Sequence, residues 1–369
     1  MKILGIETSC DDTAAAVIEA NGGFTNPSFS VLSNVSYSQV AIHKKFGGIV
    51  PNLASRAHLQ KISPTVKSAL LMSDINNEDI GLIAVTRGPG LMPSLLIGVN
   101  FARALAYKWQ KPIIGVNHIE GHIFSNWLPP IGENPKSEIR NPKKIPNTKY
   151  KIQNTESLFP ALILIVSGGH TELILMGGYG KYKIIGETLD DAAGECFDKT
   201  ARILGLEFPG GPAIAREAEK YMDVRRPLDV GRPEIKLPRP MINSKNYNFS
   251  FSGLKTAVLY SCKGKNRSAM AYEIQNAIID VLVTKTLKAV KNFRPKTLMI
   301  AGGVAANKKL RKDLAIKIAP HKIPLFVPDL AYTTDNAAMI AAAGYFNYLA
   351  SKPNKNSWKK IEANANLKL

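Results

Sequence analysis

Apolar and polar positions follow two patterns along this chain, and the patterns take turns. In Ile3–Glu19, ILGIETSCDDTAAAVIE, an apolar strand runs into a tight turn of small and polar residues, and a second apolar strand follows. Leu162–Gly177, LILIVSGGHTELILMG, repeats the arrangement. Both read as hairpins whose turns offer hydroxyls, backbone N–H groups and little side-chain bulk, so that phosphate can approach closely. Elsewhere a strand leads into a helix. LIAVTRGPGLMPSLLIGVNFARALAYKW gives a strand, a Gly-Pro-Gly turn and a helix with Leu95, Leu96, Val99 and Ala102 on one face. TLMIAGGVAANKKLRKDL is a strand, a turn at Gly302 and Gly303, and a helix; LFVPDLAYTTDNAAMIAAAGYFNYLA is a strand, a capped turn and an alanine-rich helix. Strands alternating with helices predict mostly parallel α/β sheets. A similar hairpin in each half suggests a duplicated architecture with a cleft between the halves.

Length agrees with this division, since 369 residues exceed one simple core. The expected organisation is an N-terminal α/β half over 1–128, an exposed basic insertion or linker over 129–157, a C-terminal α/β half over 158–350, and a polar basic tail over 351–369. The segment near 325–350 is expected to pack back on the N-terminal half. Pro129–Ser157 is rich in Pro, Asn and Lys and has no apolar period. RRPLDVGRPEIKLPRP, from Arg225, reads as an extended surface segment, with nucleic-acid contact as the sharper alternative.

Composition narrows the class. Hydrophobic residues make up 45%, enough for a sizeable core, and no apolar run approaches the roughly 18 residues of a membrane helix. The start, MKILGIETSCDD, lacks the pattern of a secretory signal. Cys10, Cys196 and Cys262 are scattered and form no CxxC pair, which fits a reducing, cytoplasmic location. The net charge of +19 points to a polyanionic partner, nucleic acid first, with a compositional bias toward Lys and Asn as the plainer account.

Candidate chemistry begins with GVNHIEGHIFSNW. The chain has six histidines, and His118 and His122 stand four apart here. On a helix that spacing places both imidazoles on one face, where they can reach one metal ion or simply pack. The HExxH zincin pattern is absent, and Glu120 points away from the shared face. A third ligand has to come from elsewhere. Asp335, in TTDNAAMIAAAGY, is a candidate whose ordinary role is to cap the helix it opens. AGGVAAN places two glycines where strand meets helix, so backbone can approach a sugar or phosphate, and Asn307 can pair with a base or ribose hydroxyl. DDAAGECFDKTARILGL starts with Asp190 and Asp191 near the positive end of a predicted helix, and Asp198 faces the glycine turn of FPGGPAIAREA.

These motifs occur in one order together with GGIVPNLASRAHL, FSFSGLKTAV and the others quoted above, and that order resembles the TsaD family, the tRNA N6-adenosine threonylcarbamoyltransferases once described as glycoproteases. The bacterial branch is the more similar. The resemblance spans nearly the whole chain outside Pro129–Ser157, part of the loop near Arg225, and the tail. It implies an actin/Hsp70/sugar-kinase-like fold, two α/β domains around a nucleotide cleft. It implies transfer of a threonylcarbamoyl group from threonylcarbamoyl-AMP to the adenosine just 3′ of the anticodon, in tRNAs reading codons that begin with A, with release of AMP. His118, His122 and Asp335 match the family's metal ligands, with iron (Fe2+) or zinc as the ion. Ile165, Val166, Ser167, Gly168, Gly169, Asp198, Gly211 and Asn307 match positions that hold the adenylate. Implied partners are tRNA, a same-fold paralogue (TsaB-like) and a small P-loop ATPase (TsaE-like), with no membrane. Asp12 is the candidate general base, with neighbouring Asp11 as the other choice.

This chain departs from the family pattern at Asp12, where Glu is frequent, and in PNLASRAH, where Asn52 and Ala57 replace two acids. The insertion after Pro129 is longer than in typical bacterial members, and Glu120 has no role derivable from sequence. Three other readings compete: a metallopeptidase, which lacks the adjacent Glu; an ATPase or kinase of the same fold, which needs no histidine pair; and a scaffold paralogue, against which the retained His118, His122 and Asp335 argue. The helix after Gly90, with Leu95, Ala102 and Ala106, is either a partner surface or plain core.

Overall fold

The computed structural model describes residues 1–130, 155–224 and 235–369. The expected insertion over 129–157 and the basic segment from Arg225 therefore fall largely outside the described residues. Two compact units emerge. One comprises Met1–Phe159, Gly178–Lys181 and Phe326–Leu369; the other comprises Pro160–Gly177 and Tyr182–Leu325.

In the first unit, a five-stranded sheet has the order β3-β2-β1-β4-β5, from β1 (Lys2–Glu7), β2 (Asp12–Asn21), β3 (Ser28–Ser38), β4 (Ile80–Gly88) and β5 (Ile113–Asn117). β1 pairs antiparallel with β2 and parallel with β4, and β4 pairs parallel with β5. Helices α1 (Val40–His43), α2 (Pro51–Ser73), α3 (Met92–Trp109) and α4 (His118–Phe124) follow the strands, and α10 (Ala337–Ser351) joins them from far along the chain.

Strand side chains alternate between faces. Leu4, Ile6, Ala15, Val17, Ile83 and Val85 share one core with Ile62, Val66 and Ala69 of α2 and Val99, Ala102 and Ala106 of α3. The helix after Gly90 is thus core on the stripe considered as a partner surface, since Leu95, Ala102 and Ala106 are wholly buried. Leu96 is 44% exposed rather than on that stripe. It follows Leu95 by one residue, about 100° around the helix, while Leu95, Val99, Ala102 and Ala106 keep the 3.6 period.

The other face of the sheet carries Gly5 and Ala84, and α10 packs there at very short range. A Cβ on Gly5 would overlap the Ala337 carbonyl oxygen, and one on Gly344 would sit 2.5 Å from the Ala84 Cβ. The run of small residues in AAMIAAAGY is what permits that approach. The tail also packs: Asn364 N donates to the Arg87 carbonyl at 2.7 Å, Gly90 N to the Ala365 carbonyl at 3.2 Å, and Ile361 is buried in the first unit's core.

The second unit has a sheet of order β10-β9-β6-β7-β8, from β6 (Ala161–Val166), β7 (Thr171–Gly178), β8 (Lys181–Glu187), β9 (Thr297–Ala301) and β10 (Leu325–Phe326). Its helices are α5 (Ala193–Ile203), α6 (Gly210–Val224), α7 (Ser252–Ser261), α8 (Arg267–Phe293) and α9 (Lys308–Ile318). β6 and β9 are parallel neighbours and buried along their whole length, as continuous apolar runs require in a sheet covered on both faces. Both predicted hairpins are present, as β1–β2 and β6–β7. Among the described residues, no helix is long and apolar enough to cross a membrane.

Candidate metal centre

The carboxyl ends of the parallel strands β1, β4 and β5 bring together several buried polar residues of the first unit, among them Glu7, Thr86, Asn117 and His118. β5 ends at Asn117, whose Oδ1 accepts from the backbone N–H of Ile119 and Glu120 and so starts α4. His118 is the first residue of that helix and His122 lies one turn on. Their rings meet edge to face with centroids 4.7 Å apart.

Asp335 lies in the turn before α10. It does not cap that helix: the cap is Asn336, whose Oδ1 accepts from Met339 N at 3.0 Å. The Asp335 carboxylate is left for the histidines. Its Oδ1 lies 3.4 Å from His118 Nε2 and 3.2 Å from His122 Nε2. One ligand atom from each of the three residues falls within 4.8 Å of the others, and it is the one such group of three among the described residues.

The two separations from Asp335 Oδ1 fit a shared cation. Metal bonds of about 2.1 Å at tetrahedral or octahedral angles place neighbouring donors about 3.0–3.4 Å apart. His122 supplies a second observation: both ring nitrogens are buried and make no hydrogen bond within the described residues. Buried polar atoms are normally satisfied, and a cation at Nε2 removes part of that deficit. Two imidazoles and a carboxylate suit zinc or Fe2+. Residues and ion are compatible.

Charge is concentrated here. Burial pushes the Asp335 carboxyl up, yet His118 and then His122 hold it well below the usual carboxylate range. Burial lowers His118, but Asp335 and Glu7 outweigh that and raise it well above its ordinary value. His122 is lowered, burial being the main cause.

Glu7, the last residue of β1, is absent from the site residues expected from sequence. It is fully buried. Thr86 Oγ1 donates to its Oε2 at 2.6 Å, Ser9 N donates to its Oε1, and its Oε2 lies 3.0 Å from His118 Nδ1. The available signal is a lone acid closing a strand that is apolar and buried from Ile3 onward. Glu120, also buried, accepts from Asn347 Nδ2 at 2.7 Å and so ties α4 to α10. A carboxylate committed to that tie is a poor general base for peptide hydrolysis.

Asp12 opens β2 with a buried Oδ1 that makes no hydrogen bond among the described residues. Burial, then Asp335 and Asp11, push its carboxyl up to about 7. The turn before it is clasped by His58, whose Nε2 lies 3.0 Å from the Cys10 carbonyl oxygen and whose Nδ1 lies 2.8 Å from Thr13 Oγ1.

The expected adenylate positions are all in the second unit, around the ends of β6 and β9. Ile165 and Val166 finish β6, buried. In the turn that follows, Ser167 N pairs with the His170 carbonyl, and a Cβ at Gly168 or Gly169 would meet nothing within 4 Å. The same holds for Gly303, after β9, and for Gly211 in α6. Gly302 is different: its φ is +93° and the Val166 carbonyl oxygen stands where a Cβ would go, so it admits only glycine. Asp198 faces the glycine turn as expected, accepting from Gly210 N at 2.6 Å. Asn307 caps α9 through Lys309 N and Leu310 N, and its Nδ2 donates to Gln275 Oε1 at 2.9 Å. Its side chain therefore has structural work beyond the expected base or ribose contact.

Asp190 and Asp191 precede α5 rather than opening it. Asp190 accepts from Phe251 N, Ser252 N and the hydroxyls of Ser250 and Ser252. Those bonds fix the start of α7; burial is the largest single influence and raises the Asp190 carboxyl, but the four bonds together outweigh it and lower it. Asp191 pairs with Lys199 at 2.6 Å.

Fold and site define a class: a duplicated α/β protein of the actin/Hsp70/sugar-kinase type with two buried histidines and a half-buried carboxylate grouped together. A solved structure, HypF of T. kodakarensis, has this fold at a TM-score of 0.55, with 11% identity over 97% of this chain and 49% of that one. The family model described as TsaD, tRNA N6-adenosine threonylcarbamoyltransferase, matches residues 30–139 and 147–342. A protein of that name from Bacillus subtilis is 45% identical over 93% of this chain and 90% of its own. Another from Thermosipho africanus is 42% identical over the full length of both. The chain belongs to the TsaD family.

Proposed function

We propose that this protein transfers the threonylcarbamoyl group from threonylcarbamoyl-AMP to N6 of the adenosine 3′-adjacent to the anticodon, in tRNAs reading codons that begin with A. The new bond joins the carbamoyl carbon to N6; the bond to the phosphate oxygen breaks, AMP departs, and the N6 proton is lost. The observation that carries the reading is the approach of His118 Nε2 and His122 Nε2 to Asp335 Oδ1 in a chain of this family.

His118, His122 and Asp335 would hold one divalent ion, iron or zinc. Such an ion, when bound, supplies positive charge that fixes and polarises an anionic acyl donor. The chain's own groups account for the rest. Ser167 N is bonded to the His170 carbonyl, so the backbone N–H groups of Gly168 and Gly169 and the open edge at Gly211 would receive the adenylate without side-chain obstruction. Asp198 and Asn307 hold the adjoining helix starts in shape. Asp12, whose carboxyl is raised chiefly by burial and whose Oδ1 has no hydrogen bond among the described residues, is suited to take up the N6 proton. AMP is a good leaving group, so orientation carries much of the catalysis.

The strong positive charge fits tRNA as substrate. A TsaB-like paralogue and a TsaE-like P-loop ATPase are the proposed partners, and the cytoplasm the proposed location. The test is incubation with threonylcarbamoyl-AMP and tRNA, with and without these partners and a chelator, followed by mass spectrometry of the nucleosides. Threonylcarbamoyladenosine is expected, lost with chelator and regained with Fe2+ or Zn2+. Its absence under every combination overturns the proposal.

A further inference from the structure

We infer that Glu7 is a positioning residue for this centre: its carboxylate holds the Nδ1–H of His118 and thereby presents Nε2 toward Asp335 as a ligand. The inference rests on the reading of His118, His122 and Asp335 as metal ligands.

The bonding of Glu7 leaves little else for it to do. It is fully buried, a costly place for a carboxylate. It touches three donors: Ser9 N on Oε1, and Thr86 Oγ1 and His118 Nδ1 on Oε2. Ser9 Oγ adds a second contact to the same ring nitrogen at 3.2 Å. An ionised carboxylate has only acceptors, so this set specifies a proton on Nδ1. The lone pair of a neutral His118 is then on Nε2, 3.4 Å from Asp335 Oδ1. An imidazole that donates from one nitrogen to a carboxylate is a better and better-aimed ligand through the other.

The backbone explains why the arrangement is rigid. β1 and β4 are parallel neighbours, with Gly5 opposite Ala84 and Ile6 opposite Val85. Glu7 and Thr86 therefore end up beside each other on the face over which α10 packs. Asp335 enters from the turn before that helix and His118 from the end of β5. Segments distant in sequence are joined by one chain of contacts, Thr86–Glu7–His118–Asp335.

Glu7→Gln is a sharp probe because the amide has one donor end. If its NH2 faces Ser9 N, two donors oppose each other. If it faces Thr86 and His118, Nδ1 must accept, the proton moves to Nε2, and the ligand is lost. Either way the expected result is a fall in affinity of about 10- to 100-fold, of the size seen for such outer partners, read with Zn2+ by chelator competition. The visible absorption of the Co2+ form is expected to change as well, which a purely structural role would leave unmoved. Glu7→Asp, which restores the charge, is expected to recover part of the affinity. A folded Glu7→Gln protein with wild-type affinity and an unchanged Co2+ spectrum overturns the inference.

Should Glu7→Gln fail to fold, nitrogen NMR of the Zn2+-loaded wild type decides. A protonated Nδ1 and metal-bound Nε2 on His118 support the inference; metal on Nδ1 overturns it. Wild type that takes up no Zn2+, Fe2+ or Co2+ overturns the ligand reading and this inference with it. Wild type that binds while Glu7→Gln binds equally well overturns this inference alone.

Discussion

At the residue scale the site depends on where a few atoms point. Asp335 is available because Asn336 takes the capping role. His118→Ala or His122→Ala is expected to reduce bound metal to background and tRNA modification by about 100-fold or more, measured by metal analysis and nucleoside mass spectrometry. Asp12 yields a pH prediction. Its folded-state pKa of about 7 lies above the ordinary 3.8. Between those values the native state keeps a proton that the unfolded chain has released. The contribution to stability is therefore full below about pH 4 and is lost as pH rises through about 7. Metal-free wild type should lose more thermal stability than Asp12→Asn between about pH 5 and 8, the difference being on the order of a few degrees. Equal slopes would show that Asp12 is not perturbed. His118, His122, Asp335 and Asp12 stand out in sequence by spacing or motif. Glu7 does not, because its role depends on Thr86 and His118, which only strand pairing brings to it.

At the element scale the decisive contact is α10 against β1 and α4. Helix and sheet approach closely because Gly5 and Gly344 have no side chain to intervene. Phe124, ending α4, stacks on Phe346 of α10 with centroids 4.5 Å apart, and Glu120 binds Asn347. A Cβ on Gly5 meets backbone, whereas one on Gly121 meets the flexible end of Ile340 at 2.7 Å. Gly5→Ala should therefore cost about 3 kcal/mol or more and Gly121→Ala about 1 kcal/mol, read from urea unfolding. Gly5→Ala should also weaken metal binding, since it displaces the turn that carries Asp335. The strand and helix types are legible from apolar period. The α3 stripe is legible too, except at Leu96, an apolar residue that helix geometry turns away from the face its neighbours share. An acid before a helix looks like a cap for that helix, so Asp190 reads from sequence as part of α5, and only tertiary contact shows it serving α7.

At the scale of the whole molecule, charge sets the expected behaviour toward tRNA. With a net charge of +19, binding should weaken steeply with salt, by about 10³-fold between about 50 and 200 mM if some six phosphates are neutralised. Filter binding across that range checks it, and a flat response would mean that few phosphates are contacted. The sequence by itself determined the α/β class, the two hairpins, the family and the residue types of the candidate centre. These follow from local period and from motifs, which are properties of neighbouring positions. Tertiary structure decided what joins across distance: that residues 326–369 pack with the first unit, that Asp335 turns to the histidines, and that Glu7 lies behind His118. Those outcomes depend on strand register and on how closely α10 can approach the sheet, and neither is encoded within any single stretch. The histidine pair four apart says only that two rings share a helix face; the carboxylates on either side of His118 are what make that face a candidate metal centre.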